Sequence, residues 1–572
     1  MTAKRRRKAL PGLLAGAFSG VLAAAVALGV AQLVAGITGA LGGPIDAIGA
    51  VAINHTPIPV KEFAIAHFGS RDKDALVAGI LAVLLIAAVM AGALAVRHLR
   101  PGLAVLAAFG AAGVAAAVSQ PEATATDALP TLAGIVAAAS ALVVLARTAR
   151  AAFPTESPRV TTEREPIVPG PPISPEMPVA PVTRDRPAGS TPPAVPGPQA
   201  GQERPATMLP GDPGRTAGSS RRRFLVTAGG AAAVAAAGGG AGQLLLGRFS
   251  VASSRSQVRL PAPAVAARAV PAGTELPIGR LSPFFTPNPQ FYRVDTDLVV
   301  PQVAADSWTL RIDGMVRSPV EITFDQLLRM PLTEADITLV CVSNEVGGPY
   351  AGNARWLGVP LATLLRRAGI RAGADQVLST GTDGMTISTP LQAVLDGRNA
   401  LVAVGMNGQA LPVEHGFPAR MVVPGLYGYV SATKWLTQLT VTTFASQRAY
   451  WTKRGYAAKA PIKTESRIDV PRPLAQIPAG RVPVAGVAWA PHRGISAVEV
   501  SVDNGAWHRA RLAAADGIDT WRQWMWAWDA TPGLHSLRVR AADGTGATQT
   551  AQQASPVPDG ASGWDSVVVT VT

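Results

Sequence analysis

Long apolar runs separated by short polar breaks fill the first 150 residues of the chain. Four runs, at residues 12–41, 75–96, 102–119 and 129–147, come close to or exceed the roughly 20 apolar residues that a helix needs to cross a membrane. The third run is only just long enough. The pattern therefore predicts a four-span transmembrane region over residues 1–150.

The basic clusters beside these runs all fall on one side of a four-span layout. "KRRRK" precedes the first run, "RHLR" lies between the second and third, and "ARTAR" ends the fourth. Since positive charge is enriched in cytoplasmic loops, both ends of the region are predicted to be cytoplasmic. None of the four runs contains a histidine, so no haem ligated within the bilayer is predicted.

The next two segments have different compositions. Residues 151–219 are rich in Pro, Ser and Thr with mixed charge, which predicts a disordered linker. Residues 220–248 begin with basic residues and continue in Gly and Ala, and they fit the S-R-R-x-F-L pattern of a twin-arginine export signal at Ser220, Arg221, Arg222, Phe224 and Leu225. An ordinary fifth span is the alternative, and either interpretation places the residues after Arg248 outside the cytoplasm. No small-residue cleavage site is recognisable, so this segment is predicted to remain as an anchor.

The second half of the chain is globular in pattern. Within residues 249–466, strand-like stretches ("SWTLRIDGMV", "VEITF", "ITLVCV") alternate irregularly with helix-like ones ("LATLLRRAGI", "PLQAVLDG"), which favours an α+β domain. Within residues 467–572, alternating strands are separated by turns, including a hairpin signal at Asp503 to Gly505. This pattern predicts an immunoglobulin-like β-sandwich, without the Cys and Trp spacing of true immunoglobulin domains.

Charge and composition exclude several functions. The formal net charge is +14, but the basic clusters lie beside apolar runs, so membrane orientation explains them better than a nucleic-acid partner. The chain has neither a G-x-G-x-x-G motif nor a P-loop. A single cysteine, Cys341, rules out an intramolecular disulfide and a Cys-rich zinc site.

Cys341 lies where a predicted strand opens into a loop. A lone cysteine in such a place is most often a small buried hydrophobic residue. No histidine or acid is adjacent to act as a base for a cysteine nucleophile. Polar residues follow directly (Ser343, Asn344, Glu345), as if the loop lined a cavity, and a thiolate is a soft ligand for a transition metal. With one cysteine, the other ligands of such a metal would have to come from a cofactor.

From about Phe291 onward the chain resembles the sulfite oxidase family of molybdenum enzymes, in which a molybdopterin domain precedes an immunoglobulin-like dimerisation domain. The resemblance rests on ordered runs that include "ITLVCVSN", "ARWLGVPLATLL", "MNGQALPVEHGFPARMVVPGLYG" and "KWLTQLTV". It implies a molybdenum-molybdopterin cofactor, with the thiolate of Cys341 as a metal ligand. It also implies that the sandwich domain could form a homodimer.

The same resemblance assigns further roles. Arg293 falls at the cofactor and substrate pocket, and Tyr456 falls on the active-site tyrosine. The other predicted cofactor-binding positions are Asn344, Asp383, His415, Arg420 and Lys434. Arg and Lys suit a phosphate, whereas Asp and His can hydrogen-bond the edge of a pterin.

Two departures from the family pattern concern the substrate. The Asn-His that usually follows the pocket arginine is Val294-Asp295 here, and the Gly-Asn-Arg-Arg-like run after the cysteine is Ser343 to Val346. Each charge-assisted hydrogen bond is worth about 1.5–3 kcal/mol, so losing an arginine and gaining Glu345 weakens a dianion site. The substrate is therefore expected to be less anionic than sulfite, unless Lys453 or Arg454 restores the charge.

Taken together, the sequence predicts a multidomain, membrane-anchored molybdopterin oxidoreductase that transfers an oxygen atom on the extracytoplasmic face. The substrate would be a small molecule or protein-borne, and no nucleic-acid partner is expected. The chain has no CxxCH haem motif and no flavin motif, so electrons would pass to a separate partner protein. Two alternatives stay open: a non-catalytic surface scaffold that retains the fold, and a sulfoxide reductase.

Overall fold

The computed structural model describes residues 3–40, 43–57, 60, 63, 68, 72–120, 123–153 and 213–572. Most of the predicted Pro-rich linker, residues 154–212, lies outside the described residues.

Long helices form the N-terminal part. They are α1 (Ala3–Thr38), α2 (Pro44–His55), α3 (Asp72–Arg97), α4 (Leu99–Val118), α5 (Leu129–Ala152) and α6 (Pro213–Leu246). Five of these, all except α2, are long and apolar enough to cross a membrane. Four of the five overlap the predicted apolar runs, although α1 and α4 end at Thr38 and Val118, before the predicted ends at residues 41 and 119. Helix α6 covers most of the basic and Gly/Ala-rich fifth segment and ends at Leu246. Its Arg221 guanidinium lies 5.6 Å from the centre of the Phe153 ring at the end of α5.

Glycines let α1 approach its neighbours closely. A Cβ added to Gly20 would lie 1.9 Å from the carbonyl oxygen of Ala88 in α3, and one added to Gly29 would lie 2.4 Å from that of Ala235 in α6. Small residues at such contacts allow helix backbones to pack tightly in a membrane. The other close pairs, Gly16 with Gly92 and Gly36 with Gly242, make α1 antiparallel to α3 and parallel to α6.

Two sheets form the middle of the chain, as the α+β interpretation expects. The first has the strand order β2 (Val320–Thr323), β1 (Thr309–Gly314), β10 (Leu436–Thr442), β5 (Gln376–Gly381) and β6 (Thr386–Pro390), with β1 and β10 parallel. The second has the order β3 (Thr333–Val340), β4 (Ala351–Pro360), β7 (Leu401–Met406) and β8 (Gln409–Ala410), with β9 (Arg420–Val422) paired to β7. Short helices α7 (Ala252–Gln257), α8 (Phe324–Leu328), α9 (Leu361–Ala368) and α10 (Leu391–Leu395) accompany them.

One apolar core joins these sheets. Every residue of β7 is buried, which agrees with its unbroken apolar sequence. In α9, the apolar positions Leu361, Leu364 and Leu365 are buried, whereas Arg366 and Arg367 are exposed. Strand β3 ends at Val340, one residue before Cys341, as the sequence pattern predicts.

The C-terminal residues form two facing sheets. One has the order β11 (Glu465–Val470), β13 (Gly480–Trp489), β17 (Arg522–Ala530) and β16 (Arg511–Leu512); the other has β12 (Gln476–Ile477), β19 (Asp565–Val571), β18 (Gly533–Asp543), β14 (Ile495–Val502) and β15 (Trp507–Arg509). The predicted hairpin joins β14 to β15, and Asp503 and Asn504 both have the positive φ of a type I′ turn, 50° and 61°. The immunoglobulin-like assignment stays a prediction.

Buried hydrogen bonds attach the C-terminal sheets to the middle domain. The Trp521 backbone N–H donates to Thr338 Oγ1 at 2.7 Å, and its indole Nε1 donates to the Phe284 carbonyl at 2.8 Å. Thr338 Oγ1 in turn donates to Asn353 Oδ1 at 3.0 Å. These polar contacts are buried, so they fix β3, whose last residue precedes Cys341, relative to the C-terminal sheets.

Candidate active site

Cys341 occupies the first position after β3, where the backbone leaves the sheet but remains held. Its N–H donates to the Tyr350 carbonyl at 2.9 Å, and its own carbonyl accepts from Asn344 N–H at 3.0 Å. The residue is 8% exposed. Burial raises the pKa of the thiol, while hydrogen bonds from Ser343 and the charge of Lys434 act in the opposite direction. The thiol therefore lies within electrostatic range of Lys434.

Asn344 closes the loop that starts at Cys341. Its Oδ1 accepts from Tyr350 N–H at 2.7 Å, and the residue is 1% exposed. Its Nδ2 and the Trp489 indole N–H approach the buried Glu465 carboxyl group without reaching hydrogen-bond geometry. The contacts of Asn344 are thus those of a residue that shapes the loop, and its contact with a cofactor stays a prediction.

Arg420 supplies a buried guanidinium at the start of β9. It is 6% exposed, and it donates from one nitrogen to the His415 carbonyl at 3.1 Å and from another to the Ala432 carbonyl at 3.3 Å. Burial lowers its pKa to about 10, with Tyr292 opposing the shift. Among the described residues no carboxylate lies within ion-pair distance of Arg420. A buried cation without a protein anion is destabilising, so this guanidinium suits an anionic ligand.

Lys434 and Arg293 meet at one buried carboxylate. Lys434 Nζ and Arg293 Nε both donate to Asp295 Oδ2 at 2.7 Å, and the Asp295 side chain is 2% exposed. Burial alone would raise the pKa of Asp295, but Lys434 and Arg293 hold it well below its usual range. Burial lowers the pKa of Lys434 to about 8 despite the charge of Asp295. The predicted pocket arginine and the predicted pterin-contacting lysine are therefore brought together through Asp295.

His415 is neutral in this setting. Its Nε2 lies 3.1 Å from the Asn288 carbonyl, which can only accept, so Nε2 carries the proton. Burial, followed by the charge of Arg420, lowers its pKa to about 4. Gly416 follows with a φ of 105°, and a Cβ there would lie 3.1 Å from both Arg420 Cβ and Lys434 Cα. The glycine allows the three predicted cofactor-binding residues of this region to converge.

Asp383 lies beside a second acid that sequence reasoning did not identify. Its Oδ1 accepts from Met385 N–H at 3.0 Å. Burial raises the pKa of Asp383, and burial together with the Asp383 charge raises that of Asp297 to about 8. Burial beside another carboxyl group disfavours a second negative charge, so Asp297 is expected to be protonated at neutral pH.

Tyr456 lies in an aromatic cluster. It is 8% exposed, and its ring packs against Tyr429 at 5.4 Å and Trp451 at 5.2 Å between centroids. Tyr292 is the phenol that couples electrostatically to both Cys341 and Arg420, and burial raises its pKa strongly. Its one sequence signal is its place directly before Arg293 in "FYRV", and Tyr292 was not among the predicted site residues. The role of Tyr456 at the reacting centre stays a prediction.

Glu345 and Arg454, two residues that bear on the charge of the pocket, have contacts and exposure that the sequence did not specify. Glu345 is exposed on the loop after Cys341. Arg454 does not project freely: it donates to the Tyr450 carbonyl at 3.1 Å and to the Asn54 carbonyl of α2 at 3.2 Å. Its guanidinium is therefore engaged with the N-terminal helices.

The buried thiol of Cys341 lies within electrostatic range of Lys434, and Arg420 has no carboxylate partner among the described residues, a combination that suits an anionic, metal-carrying ligand. Residues 297–451 match the family described as oxidoreductase molybdopterin binding domain. The chain is 31% identical to sulfite oxidase of Gallus gallus over 293 residues, 43% of this chain and 63% of that protein. It is 34% identical to nitrate reductase [NADH] of Solanum lycopersicum over 209 residues, 32% of this chain and 23% of that protein. The chain thus spans less than two thirds of each of these relatives.

A solved structure of the sulfane dehydrogenase SoxCD from Paracoccus pantotrophus aligns with a TM-score of 0.43 and 26% identity, over 50% of this chain and 81% of that one. The class defined by the site and by the family match is a molybdopterin-dependent oxidoreductase. Within that class, the chain is similar to members of the sulfite oxidase family.

The residues present fit the cofactor of this family, molybdenum-molybdopterin. Cys341 offers one soft sulfur ligand, and Arg420 and Lys434 offer buried positive charge for a phosphate. Among the described residues no group of three or more His, Cys, Asp or Glu side chains is arranged to hold a metal ion. The donor set therefore matches a metal that arrives with ligands of its own.

Proposed function

We propose that this chain is a membrane-anchored molybdopterin oxidoreductase that transfers an oxygen atom to or from its substrate on the extracytoplasmic side of the membrane. The observation that carries the proposal is Cys341 at the end of β3, within electrostatic range of the buried Lys434 and next to the Tyr292 and Arg420 pair. A surface scaffold has no use for a buried thiol within electrostatic range of a buried lysine.

Each site residue has a task that follows from its contacts. Arg420 and Lys434 would bind the phosphate, and neutral His415 would keep a fixed ring orientation through its bond to the Asn288 carbonyl. Tyr292 remains protonated beside the thiol and can donate a hydrogen bond into the pocket. When bound, molybdenum-molybdopterin supplies two-electron redox chemistry and oxygen-atom transfer. The protein supplies placement, charge and exclusion of water.

The substrate is proposed to be less anionic than sulfite. Glu345 stands where relatives of the family carry an arginine, and it is exposed on the loop. Arg454 is engaged with Asn54 and is not positioned to replace that charge. Asp295 places one buried negative charge beside Arg293. A sulfoxide, reduced rather than oxidised, fits this less cationic pocket.

The proposed topology has support from the contacts between helices and site. With cytoplasmic ends for the four-span region, the loop between the first two spans and the residues after α6 lie on the same side. Asn54 and Lys73, from that loop region, contact Tyr450 and Asp295 of the site domain. Export by the twin-arginine pathway remains part of the proposal, as does a separate electron-transfer partner.

Metal analysis of the full chain tests the cofactor. The full-length protein would be made in a host able to synthesise molybdopterin and purified in detergent, beside Cys341→Ser and the surface control Ser307→Ala. Near-stoichiometric molybdenum in wild type and Ser307→Ala, with a clear loss in Cys341→Ser, is expected. A folded wild type without molybdenum would overturn the proposal and favour the scaffold.

Turnover then separates the two directions of reaction. The loaded enzyme would be assayed with methionine sulfoxide and a reduced dye, and with sulfite and an oxidised acceptor. Sulfoxide reduction without sulfite oxidation is expected from the charge of the pocket. Rapid sulfite oxidation would refute the argument from Glu345 and Asp295.

A further inference from the structure

The N-terminal helices contact the candidate site at three separate points. The first is ionic: Lys73, at the start of α3, pairs with Asp295 Oδ1 and donates to the Asp297 carbonyl. The Lys73 side chain is 23% exposed, against 2% for Asp295. The Asp295 carboxylate is thus paired with Lys434 and Arg293 of the site domain and with Lys73 of the helical region.

The second contact is polar and lies on another rim segment. Tyr450 Oη and Asn54 Oδ1 are 2.9 Å apart, and Arg454 donates to the Asn54 carbonyl at 3.2 Å. Tyr450 and Arg454 flank Trp451, which packs against Tyr456. Asn54 therefore holds the segment that presents the predicted active-site tyrosine.

The third contact is steric. Leu298 lies directly against the backbone of α2, so that a Cβ added to Gly49 would be 2.0 Å from Leu298 Cδ1. This contact lies three residues beyond Asp295, so it keeps the 293–298 segment against the helices independently of charge.

We propose that the N-terminal helical region completes the site, with Lys73 acting as a positioning residue that holds Asp295, and through it Arg293 and Lys434, in place. The role of Lys73 in a cofactor site rests on the proposed function, whereas the contacts themselves do not. Asp295 replaces a histidine of the family pattern, so this chain has both a carboxylate at that position and a helical region that supplies a cation to it.

The charge balance explains why a third cation matters. With only Arg293 and Lys434, the single carboxylate of Asp295 would be shared by two cations of the pocket, and each would be drawn toward it. Lys73 binds Oδ1, while Lys434 binds Oδ2. With Lys73, the three cations exceed the Asp295 carboxylate by two positive charges, against one without it, which would suit the anionic phosphate of the cofactor. Loss of Lys73 removes one positive charge and one hydrogen bond to a buried carboxylate.

The contact is tested without relying on activity. A protease site would be placed in the linker of the full-length chain in membranes, with Asn54→Cys and Tyr450→Cys combined or alone, and treated with a short bis-maleimide before cleavage. Covalent joining of the two fragments only in the double variant is expected. Fragments that separate in every variant would overturn the inference, whether or not the protein contains molybdenum. Adding Gly49→Leu to the double variant is expected to reduce the joined fraction severalfold.

The positioning role is tested by charge. Lys73→Met is expected to weaken retention of molybdenum-molybdopterin on dialysis by roughly tenfold, the effect of one charge-assisted hydrogen bond. Lys73→Arg should restore retention, and Asp74→Asn, an exposed neighbour on α3, should match wild type. In an Asp295→Asn background, Lys73→Met should have no further effect. Equal retention in Lys73→Met and wild type would overturn the positioning role, and a wild type without molybdenum would instead refute the proposed function.

Discussion

Asp295 is predicted to keep Lys434 charged, and its replacement by Asn should make Lys434 neutral near pH 7. The Lys434 pKa is already lowered by burial to about 8, with the carboxylate 2.7 Å away acting against the shift. An opposite charge at this distance moves a pKa by about 1–3 units, so Asp295→Asn should bring Lys434 to about 5–7. At pH 7 the charged fraction would fall from about nine in ten to about half or less.

Competitive acylation measures this change directly. The cofactor-free full chain would be labelled with a trace amine reagent across a pH series, and the Lys434 peptide quantified by mass spectrometry. The labelling midpoint should fall in Asp295→Asn and stay unchanged in Asp396→Asn, whose carboxylate pairs with Arg398 on the surface. A midpoint that is unchanged or higher in Asp295→Asn would refute the electrostatic account of the site.

Three further predictions concern stability. Burial raises the pKa of Glu465 to about 8, so the folded chain loses stability as the pH rises above the pKa that Glu465 has in the unfolded chain. Glu465→Gln should therefore raise the thermal midpoint at pH 8 but not at pH 4. Equal shifts at both pH values would contradict this. The pKa of His415 is about 4 in the folded chain, so the free energy of unfolding should fall by about 3 kcal/mol between pH 6.5 and pH 4. His415→Gln should remove this part of the pH dependence. Thr338→Val should cost about 1–3 kcal/mol by leaving Trp521 N–H without its acceptor, and unaltered denaturant midpoints would argue against that bond.

The sequence was most informative where pattern and local structure coincide. Apolar length identified the helices α1 and α3 to α6, and alternation identified strands such as β1 and β14. The Asp503 and Asn504 turn followed from residue type, because few residues adopt positive φ without strain. Cys341 was placed correctly at a strand end, since an apolar run followed by polar and Gly residues marks that transition.

The remainder depends on contacts between distant residues. Lys73 and Asp295 are 222 positions apart, and nothing in the local sequence of either predicts the pair. The raised pKa of Asp297 and the neutral His415 arise from burial, which composition does not specify residue by residue. Tyr292 was not predicted because its importance comes from its electrostatic interaction with Cys341 and Arg420, not from its neighbours in the chain.

The parallel packing of α1 against α6 has a consequence for biogenesis. Gly29 and Gly36 of the first helix are covered by a helix that is synthesised only after the entire linker. The small-residue face of α1 therefore stays open to lipid or to insertion factors until translation has passed residue 246. The helical region can therefore close only once α6 has been made, immediately before the site domain is synthesised.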